Sequence, residues 1–202
     1  MSTLAEVLRP RFARGPATVG SHGIGVHGYD VLLALAGSAL IALSAQVAVP
    51  LPFSPVPVTG QTFAVLLVGA ALGATRGAAA VLAYLAEGAA GLPVFAGGLA
   101  GPAALLGPSG GYLFGFLPAA WICGALAERG WDRRFLTTLA AMALGDLAVF
   151  AVGLPWLARF VGPENAMAFG LAPFVAGNLA KIVLAAGALP LAWACVRRSR
   201  GR

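Results

Sequence analysis

Long apolar runs, separated by short turns that carry arginine, dominate the pattern of this chain. A helix needs about 20 mostly apolar residues to cross a hydrocarbon core of about 30 Å. Four runs are clear enough to predict spanning helices on their own. They are Val31–Val49, Leu113–Leu126, Phe135–Pro155 and Pro173–Val196.

The apolar interval 61–92 is too long for one helix, and an arginine interrupts it. Glycine on both sides of Arg76 indicates a turn. We therefore predict two shorter helices, Gln61–Leu72 and Ala78–Leu92, which raises the expected number of spans to six.

Charge supports six spans over five. With six, a single arginine, Arg159, falls on one side of the membrane and all the others fall on the opposite side. With five, the arginine cluster at 129–134 would change sides and the asymmetry would be lost. Because cytoplasmic loops carry an excess of Lys and Arg, six spans place both termini in the cytoplasm.

Composition agrees with an all-α integral membrane protein, since 59% of residues are apolar and 10% are charged, against about 25% charged in soluble domains. We expect a six-helix domain over 29–198, a poorly ordered tail over 1–28 without a signal peptide, and a basic end over 199–202. The net charge of +6 indicates attraction to anionic lipid and not to nucleic acid. The two cysteines and two histidines lack metal-ligand spacing, so no metal site is expected.

Two connecting segments between helices are rich in Pro and Gly and carry no charge: VPLPFSPVPVTGQTF and GLPVFAGGLAGPAALLGPSGGYLFG. A solvated loop is usually more polar. Irregular backbone at membrane depth is tolerated where protein or a cavity satisfies it. We expect these loops to fold over the outer helix ends and cap a ligand site; the alternative is that they lie flat in the headgroup zone.

Four polar residues lie inside the predicted spans. Counted at 1.5 Å per residue from the outer helix ends, Glu87 is about 9 Å, Lys181 about 12 Å and Asp146 about 13 Å deep. Asn178 precedes Lys181, the only lysine of the chain, by three residues and shares its helix face. Ionisable groups at this depth are candidates for function. Lys181 either pairs with Glu87 or Asp146, or contacts a ligand or ion.

Two further candidates open helices at the outer side. Gln61 follows Thr59-Gly60, and Tyr112 follows the Gly110-Gly111 pair. An aromatic residue near the interface is usually an anchor, but paired glycines allow close approach of the backbone beside it. Ligand contact is therefore the second interpretation of Tyr112.

Small residues recur every four positions on the first helix, at Ala34, Ser38 and Ala42. This spacing allows another helix to approach closely. The spacing does not say whether that helix belongs to this chain or to a partner.

Four sequence blocks together resemble the BioY biotin transporters, the substrate-capturing membrane components of energy-coupling-factor transporters. In chain order they are PFSPVPVTGQTFAVLLVGAALG, YLAEGAAGLPVFAGG, LLGPSGGYLFGF and PFVAGNLAKIVLA. The resemblance covers roughly Val31 to Val196. It implies six helices in the bacterial cytoplasmic (inner) membrane and biotin bound near the outer face, in contact with Asn178, Lys181 and Tyr112. From the chemistry of biotin we add that Phe95, together with Tyr112, could close over its bicycle.

The resemblance also implies partners. The Ala-x-x-x-Ala feature that docks a transmembrane coupling subunit would map to Ala34, Ser38 and Ala42, with serine departing from alanine in the middle. Two ATPase subunits would drive release, although some family members function without that module and perhaps as homo-oligomers. Biotin is the expected ligand, and no cofactor is expected.

Three other interpretations remain at this point. The first is a proton-coupled carrier for a small anionic or zwitterionic solute, which uses Glu87, Asp146 and Lys181 as a relay. The second is an intramembrane enzyme. The predicted spans contain no Ser/His/Asp set and no Cys/His pair, so we expect the chain not to be an enzyme. The third is a structural membrane scaffold, and a cluster of polar residues at matched depth argues against it.

Overall fold

A computed structural model describes residues 3–7 and 24–200, and it is mostly helical. Residues 1–2, 8–23 and 201–202, which include His22 and parts of the predicted terminal segments 1–28 and 199–202, lie outside the described residues. The elements in chain order are α1 (Leu4–Val7), α2 (Ile24–Ala45), β1 (Ala48–Leu51), β2 (Ser54–Thr59), α3 (Gln61–Leu72), α4 (Ala74–Ala89), α5 (Pro102–Leu106), α6 (Gly110–Glu128), α7 (Phe135–Val161), α8 (Pro163–Gly170) and α9 (Ala172–Arg200). Single 3₁₀ turns lie at Ala96–Gly98 and Trp131–Arg133.

Four helical stretches in the described part of the chain are long and apolar enough to cross a membrane. They are Gly28–Ala45, Gly110–Glu128, Phe135–Val161 and Pro163–Arg198. Each contains most of one of the four clear apolar runs, so the prediction of long apolar helices there is confirmed. The shorter helices α3 and α4 have 12 and 16 residues, or about 18 and 24 Å at 1.5 Å per residue.

The break between α3 and α4 is a single residue. Gly73 has φ of 92°, a value that favours glycine, and α4 begins at Ala74 instead of the predicted Ala78. The backbone N–H of Ala74 donates to Glu128 Oε1 at 2.9 Å. Because a carboxylate at a helix start satisfies an otherwise unpaired N–H, α4 starts directly after the glycine.

The arginine-bearing turns meet at one end of the bundle, which we call the arginine end. Arg76 in the first turn of α4 donates from Nε to Asp30 Oδ1 of α2 at 2.8 Å. At the same end the buried Asp132 accepts a hydrogen bond from Trp193 Nε1, and burial raises the pKa of Asp132 above its usual range. Arg133 stacks over the Trp193 ring at 4.6 Å. These contacts fasten the α6–α7 turn to α9.

The opposite end carries an antiparallel hairpin of β1 and β2, so the prediction of a wholly α chain is wrong in this segment. Val56 is buried, whereas Pro55 beside it is exposed. A two-stranded sheet leaves free edges, and proline is tolerated where its missing N–H is not needed for pairing. The Ser54 hydroxyl donates to the Phe169 carbonyl of α8 at 2.8 Å, which ties the hairpin to the bundle. We call this the hairpin end.

Glycines allow α3, α4 and α6 to pack closely in the arginine-end half of the bundle. A Cβ added at Gly77 of α4 would lie 2.8 Å from the Cα of Gly69 of α3. That neighbour is backbone and cannot move aside. Glycine at position 77 therefore determines the spacing of the α3–α4 pair.

We expect Gly77→Ala to destabilise the protein by about 1–3 kcal/mol, the usual cost of overpacking. The matched control is Gly187→Ala in α9, where an added Cβ meets nothing within 4 Å. Thermal unfolding in detergent should show a lower midpoint for Gly77→Ala and an unchanged or higher midpoint for Gly187→Ala. Equal midpoints for the two variants would contradict the packing described here.

Candidate ligand-binding site

A cavity of about 120 Å³ lies at the hairpin end of the bundle. One water molecule needs about 10–15 Å³ on this measure, so the cavity has room for more than one ordered water. Strand β2, the 95–109 segment and helices α3, α6, α7 and α9 all contribute to its wall. The lining residues are Pro55, Val56, Pro57, Thr59, Gln61, Thr62, Phe95, Ala96, Leu99, Ala104, Ser109, Tyr112, Leu113, Phe116, Val149, Phe150, Phe174 and Asn178.

Three aromatic rings from different helices form one side of the cavity. Tyr112 of α6 stacks on Phe174 of α9 with ring centroids 6.2 Å apart, and it meets Phe150 of α7 edge-on at 6.1 Å. The Tyr112 hydroxyl points away to the Gly170 carbonyl, to which it donates at 2.9 Å. Tyr112 therefore presents mainly ring surface to the cavity, as suits an apolar ligand face.

Phe150 and Phe174 were not among the predicted site residues, although their spacing from Asp146 and Asn178 could have indicated them. Phe150 follows Asp146 by four residues, and Phe174 precedes Asn178 by four. Residues four apart share one face of a helix. The aromatic neighbours of each intramembrane polar residue could therefore have been chosen from the sequence.

Phe95, the residue that we expect to close over the ligand, lies between the cavity and α4. It is 2% exposed and packs edge-on against the buried Tyr84 with ring centroids 5.4 Å apart. An added Cβ on Gly88 would collide with the tip of the Phe95 ring. The missing side chain at position 88 thus makes the space that seats this ring.

Asn178 is the polar residue of α9 that lines the cavity. Its amide Nδ2 donates to Asp146 Oδ1 of α7 at 2.7 Å. Its Oδ1 accepts from Lys181 Nζ at 3.1 Å. The predicted pair Asn178 and Lys181 is therefore in direct contact, and Asp146 joins it.

Lys181 stands one layer behind the cavity wall. Its ammonium donates to the Thr59 carbonyl at 2.7 Å in addition to Asn178, and both of these partners line the cavity. Among the described residues, no carboxylate oxygen lies within 4.0 Å of Lys181 Nζ. The direct ion pair with Glu87 or Asp146 is thus not formed, and Asn178 separates the Asp146 and Lys181 charges.

Gln61 also lines the cavity, at the start of α3. Its Oε1 accepts from the Thr59 hydroxyl at 3.0 Å, and its Nε2 donates to the Tyr84 hydroxyl. The side chain is 4% exposed and is held from both ends. Thr59 thus touches the site twice, through its hydroxyl to Gln61 and through its carbonyl to Lys181.

Glu87 is not part of this network. Its Oε2 accepts a hydrogen bond from Ser38 Oγ of α2 at 2.5 Å, and Glu87 does not line the cavity. Ser38 is fully buried, whereas Ala34 and Ala42 of the same stripe are half-buried. Ser38 therefore contacts α4 of this chain and is not accessible to a partner as the docking prediction required, whereas Ala34 and Ala42 remain partly accessible.

No cluster of three or more His, Cys, Asp or Glu side chains that could hold a metal ion occurs within residues 3–7 and 24–200.

Comparison with known proteins gives the cavity a family context. The model of the BioY family matches residues 20–198. The chain belongs to the BioY family. This finding confirms the resemblance that the four sequence blocks indicated.

Relatives within the BioY family match over most of their length. The chain is 42% identical to the probable biotin transporter BioY of Pyrococcus horikoshii, over 73% of this chain and 85% of the relative. It is 41% identical to the biotin transporter BioY of Rhodobacter capsulatus, over 76% of this chain and 86% of that protein.

A solved structure shares the BioY fold. It is a crystal structure of the S-component for biotin from an ECF-type ABC transporter. The match has a TM-score of 0.74 at 27% identity and covers 90% of this chain and 96% of that one. The fold is therefore that of an integral membrane S-component.

Proposed function

We propose that this protein captures biotin in the cavity at the hairpin end and serves its uptake across the bacterial cytoplasmic membrane. The position of Asn178 is the strongest support for this function. This residue lines an aromatic-walled cavity and is held there by Lys181. The biotin transporters among the relatives, and the S-component for biotin that shares the fold, support the same ligand.

The chemistry of the cavity wall suits biotin, which joins an apolar thioether bicycle to a ureido group and a carboxylate. The rings of Tyr112, Phe150 and Phe174 offer apolar contact area. Asn178 and Gln61 are amides with both donor and acceptor groups. Lys181, directly behind Thr59 and Asn178, places an ammonium group close to this wall, within reach of an electron-rich oxygen of the ligand.

Six helices are proposed to span the membrane: α2, α3, α4, α6, α7 and α9. Two of them, α3 and α4, are shorter than a full hydrocarbon core and rely on neighbouring helices and the hairpin for cover. Both termini would then be cytoplasmic, with the arginine end inside and the hairpin end outside, as the positive-inside rule requires. The connecting segments of the hairpin end would cap the biotin site.

Release of a tightly held vitamin needs work, and we propose that an energy-coupling-factor module supplies it. The family relation to an S-component of an ECF-type ABC transporter supports this partnership. A transmembrane coupling subunit would dock on α2, near Ala34 and Ala42, with two ATPase subunits behind it.

The proton-coupled carrier is not favoured. Its relay would need Glu87, Asp146 and Lys181 in sequence, whereas Glu87 is bonded to Ser38 on another side of α4. An asparagine amide stands between Asp146 and Lys181. An amide does not readily exchange protons as a carboxyl or imidazole does.

Lys181→Ala should weaken biotin binding by about tenfold or more, equivalent to at least 1.4 kcal/mol. The substitution leaves Asn178 Oδ1 and the Thr59 carbonyl without their donor. Calorimetry on protein purified in detergent gives the affinity directly. The control is Leu184→Ala in the same helix, whose side chain is exposed, and it should bind biotin as the unmodified protein does.

If Lys181→Ala binds biotin as tightly as the unmodified protein does, Lys181 is not part of the binding site. No measurable binding by the unmodified, monodisperse protein would overturn the proposed function itself.

Ala34→Trp should leave biotin affinity unchanged and reduce co-purification with the coupling subunit and ATPases. The bulky ring would hold a partner helix away from α2. Leu43→Trp is the control, because Leu43 lies on the other side of α2 and is already 70% exposed. Full co-purification of Ala34→Trp would exclude this part of α2 from the docking surface.

A further inference from the structure

Three polar side chains form a line inside the predicted membrane-spanning helices. Asp146 of α7 accepts from Asn178 of α9, and Asn178 accepts from Lys181 one turn further along α9. Asn178 lines the cavity, whereas Asp146 and Lys181 do not. The line therefore ends at the cavity only through the amide of Asn178.

The two outer members of the line determine how that amide is turned. An ammonium group has donors and no acceptor, and an ionised carboxylate has acceptors and no donor. The amide between them must therefore present Oδ1 to Lys181 and Nδ2 to Asp146. In the flipped orientation the amide would present its donor to the ammonium and its acceptor to the carboxylate, so the two groups together exclude it.

The opposite charges of Asp146 and Lys181 also compensate each other. Asp146 is 8% exposed, and isolating one ion in such surroundings costs several kcal/mol. Asp146 and Lys181 offset each other across one amide without a direct ion pair. A closed ion pair would withdraw both groups from the cavity, whereas the intervening amide keeps a polar edge facing it.

We infer that Asp146 is a positioning residue for ligand capture, which holds the Asn178 amide in one orientation towards the ligand and offsets the charge of Lys181 without touching the ligand. This inference rests on the proposed capture of biotin. It adds that Asp146 acts on the ligand through Asn178. It assigns Asp146 a role different from direct contact and different from proton transfer.

A double-substitution cycle between positions 146 and 178 tests the inference. Asp146→Ala removes the acceptor that holds Asn178 Nδ2, whereas Asn178→Ala removes the amide itself. We expect each single substitution to lower biotin affinity by about tenfold or more. If Asp146 acts through Asn178, it has no amide left to orient in the combined variant Asp146→Ala/Asn178→Ala.

The combined variant should therefore bind biotin within about threefold of Asn178→Ala alone, a non-additive result typical of directly coupled residues. Asp30→Asn is the matched control. Asp30 pairs with Arg76 at the arginine end, so its substitution should leave affinity unchanged. Calorimetry gives the affinities, and thermal unfolding in detergent reports the folded state of each variant.

Losses that simply add in the combined variant, or Asp146→Ala binding within twofold of the unmodified protein, would overturn the inference. If Asp146→Ala does not fold, Asp146→Asn, which keeps the size of the side chain and removes its charge, takes its place in the same cycle, and additive losses there contradict the inference in the same way. Absence of binding by the unmodified protein would refute biotin capture and is thus distinct from failure of the role given to Asp146.

Discussion

The ammonium of Lys181 is the charge around which the hairpin end of this protein is organised. An ionisable side chain near the middle of a bilayer costs roughly 2.5–3.5 kcal/mol on insertion scales. The fold offsets this cost with the Thr59 carbonyl at 2.7 Å and Asn178 Oδ1 at 3.1 Å. Thr59 ends β2, and α3 begins after Gly60, so one charge joins α9 to the corner where the hairpin meets the bundle. The hydrogen bond from Lys181 to the Thr59 carbonyl thus also holds this part of β2 in the cavity wall.

The hydrogen bonds of Lys181 also explain why the cavity has a polar edge. Because Asn178 stands between Lys181 and Asp146, neither ion is withdrawn into a closed pair, and an amide edge faces the cavity. Around it, aromatic rings from α6, α7 and α9 pack against one another instead of filling the space. On the hairpin side, Phe95 is seated against Gly88 and Tyr84. A polar edge inside an apolar wall is what a small amphipathic vitamin requires.

The long helices could be predicted from the sequence because hydrophobic length is a local property. The cost of a buried charge is also local, and it singled out Asn178 and Lys181, which lie in contact beside the cavity. Gln61–Leu72 has its predicted limits, and Asn178 and Lys181 share a face as their spacing required. The start of α4 was missed because Glu128, distant in sequence, caps Ala74. The hairpin was missed because alternate prolines argue against a strand unless its free edges are known. The burial of Ser38 against Glu87 depends on helix rotation, which spacing alone does not define.

The decisive experiment is a crystal structure of the protein loaded with biotin. We expect biotin inside the cavity between strand β2 and the Tyr112, Phe150 and Phe174 rings, with one of its polar atoms in hydrogen-bond contact with Asn178. Lys181 would then remain beside Asn178 or turn to the ligand. Biotin bound elsewhere on the protein, or bound in the cavity with no contact to Asn178 or Lys181, would show that this polar pair does not form the binding site.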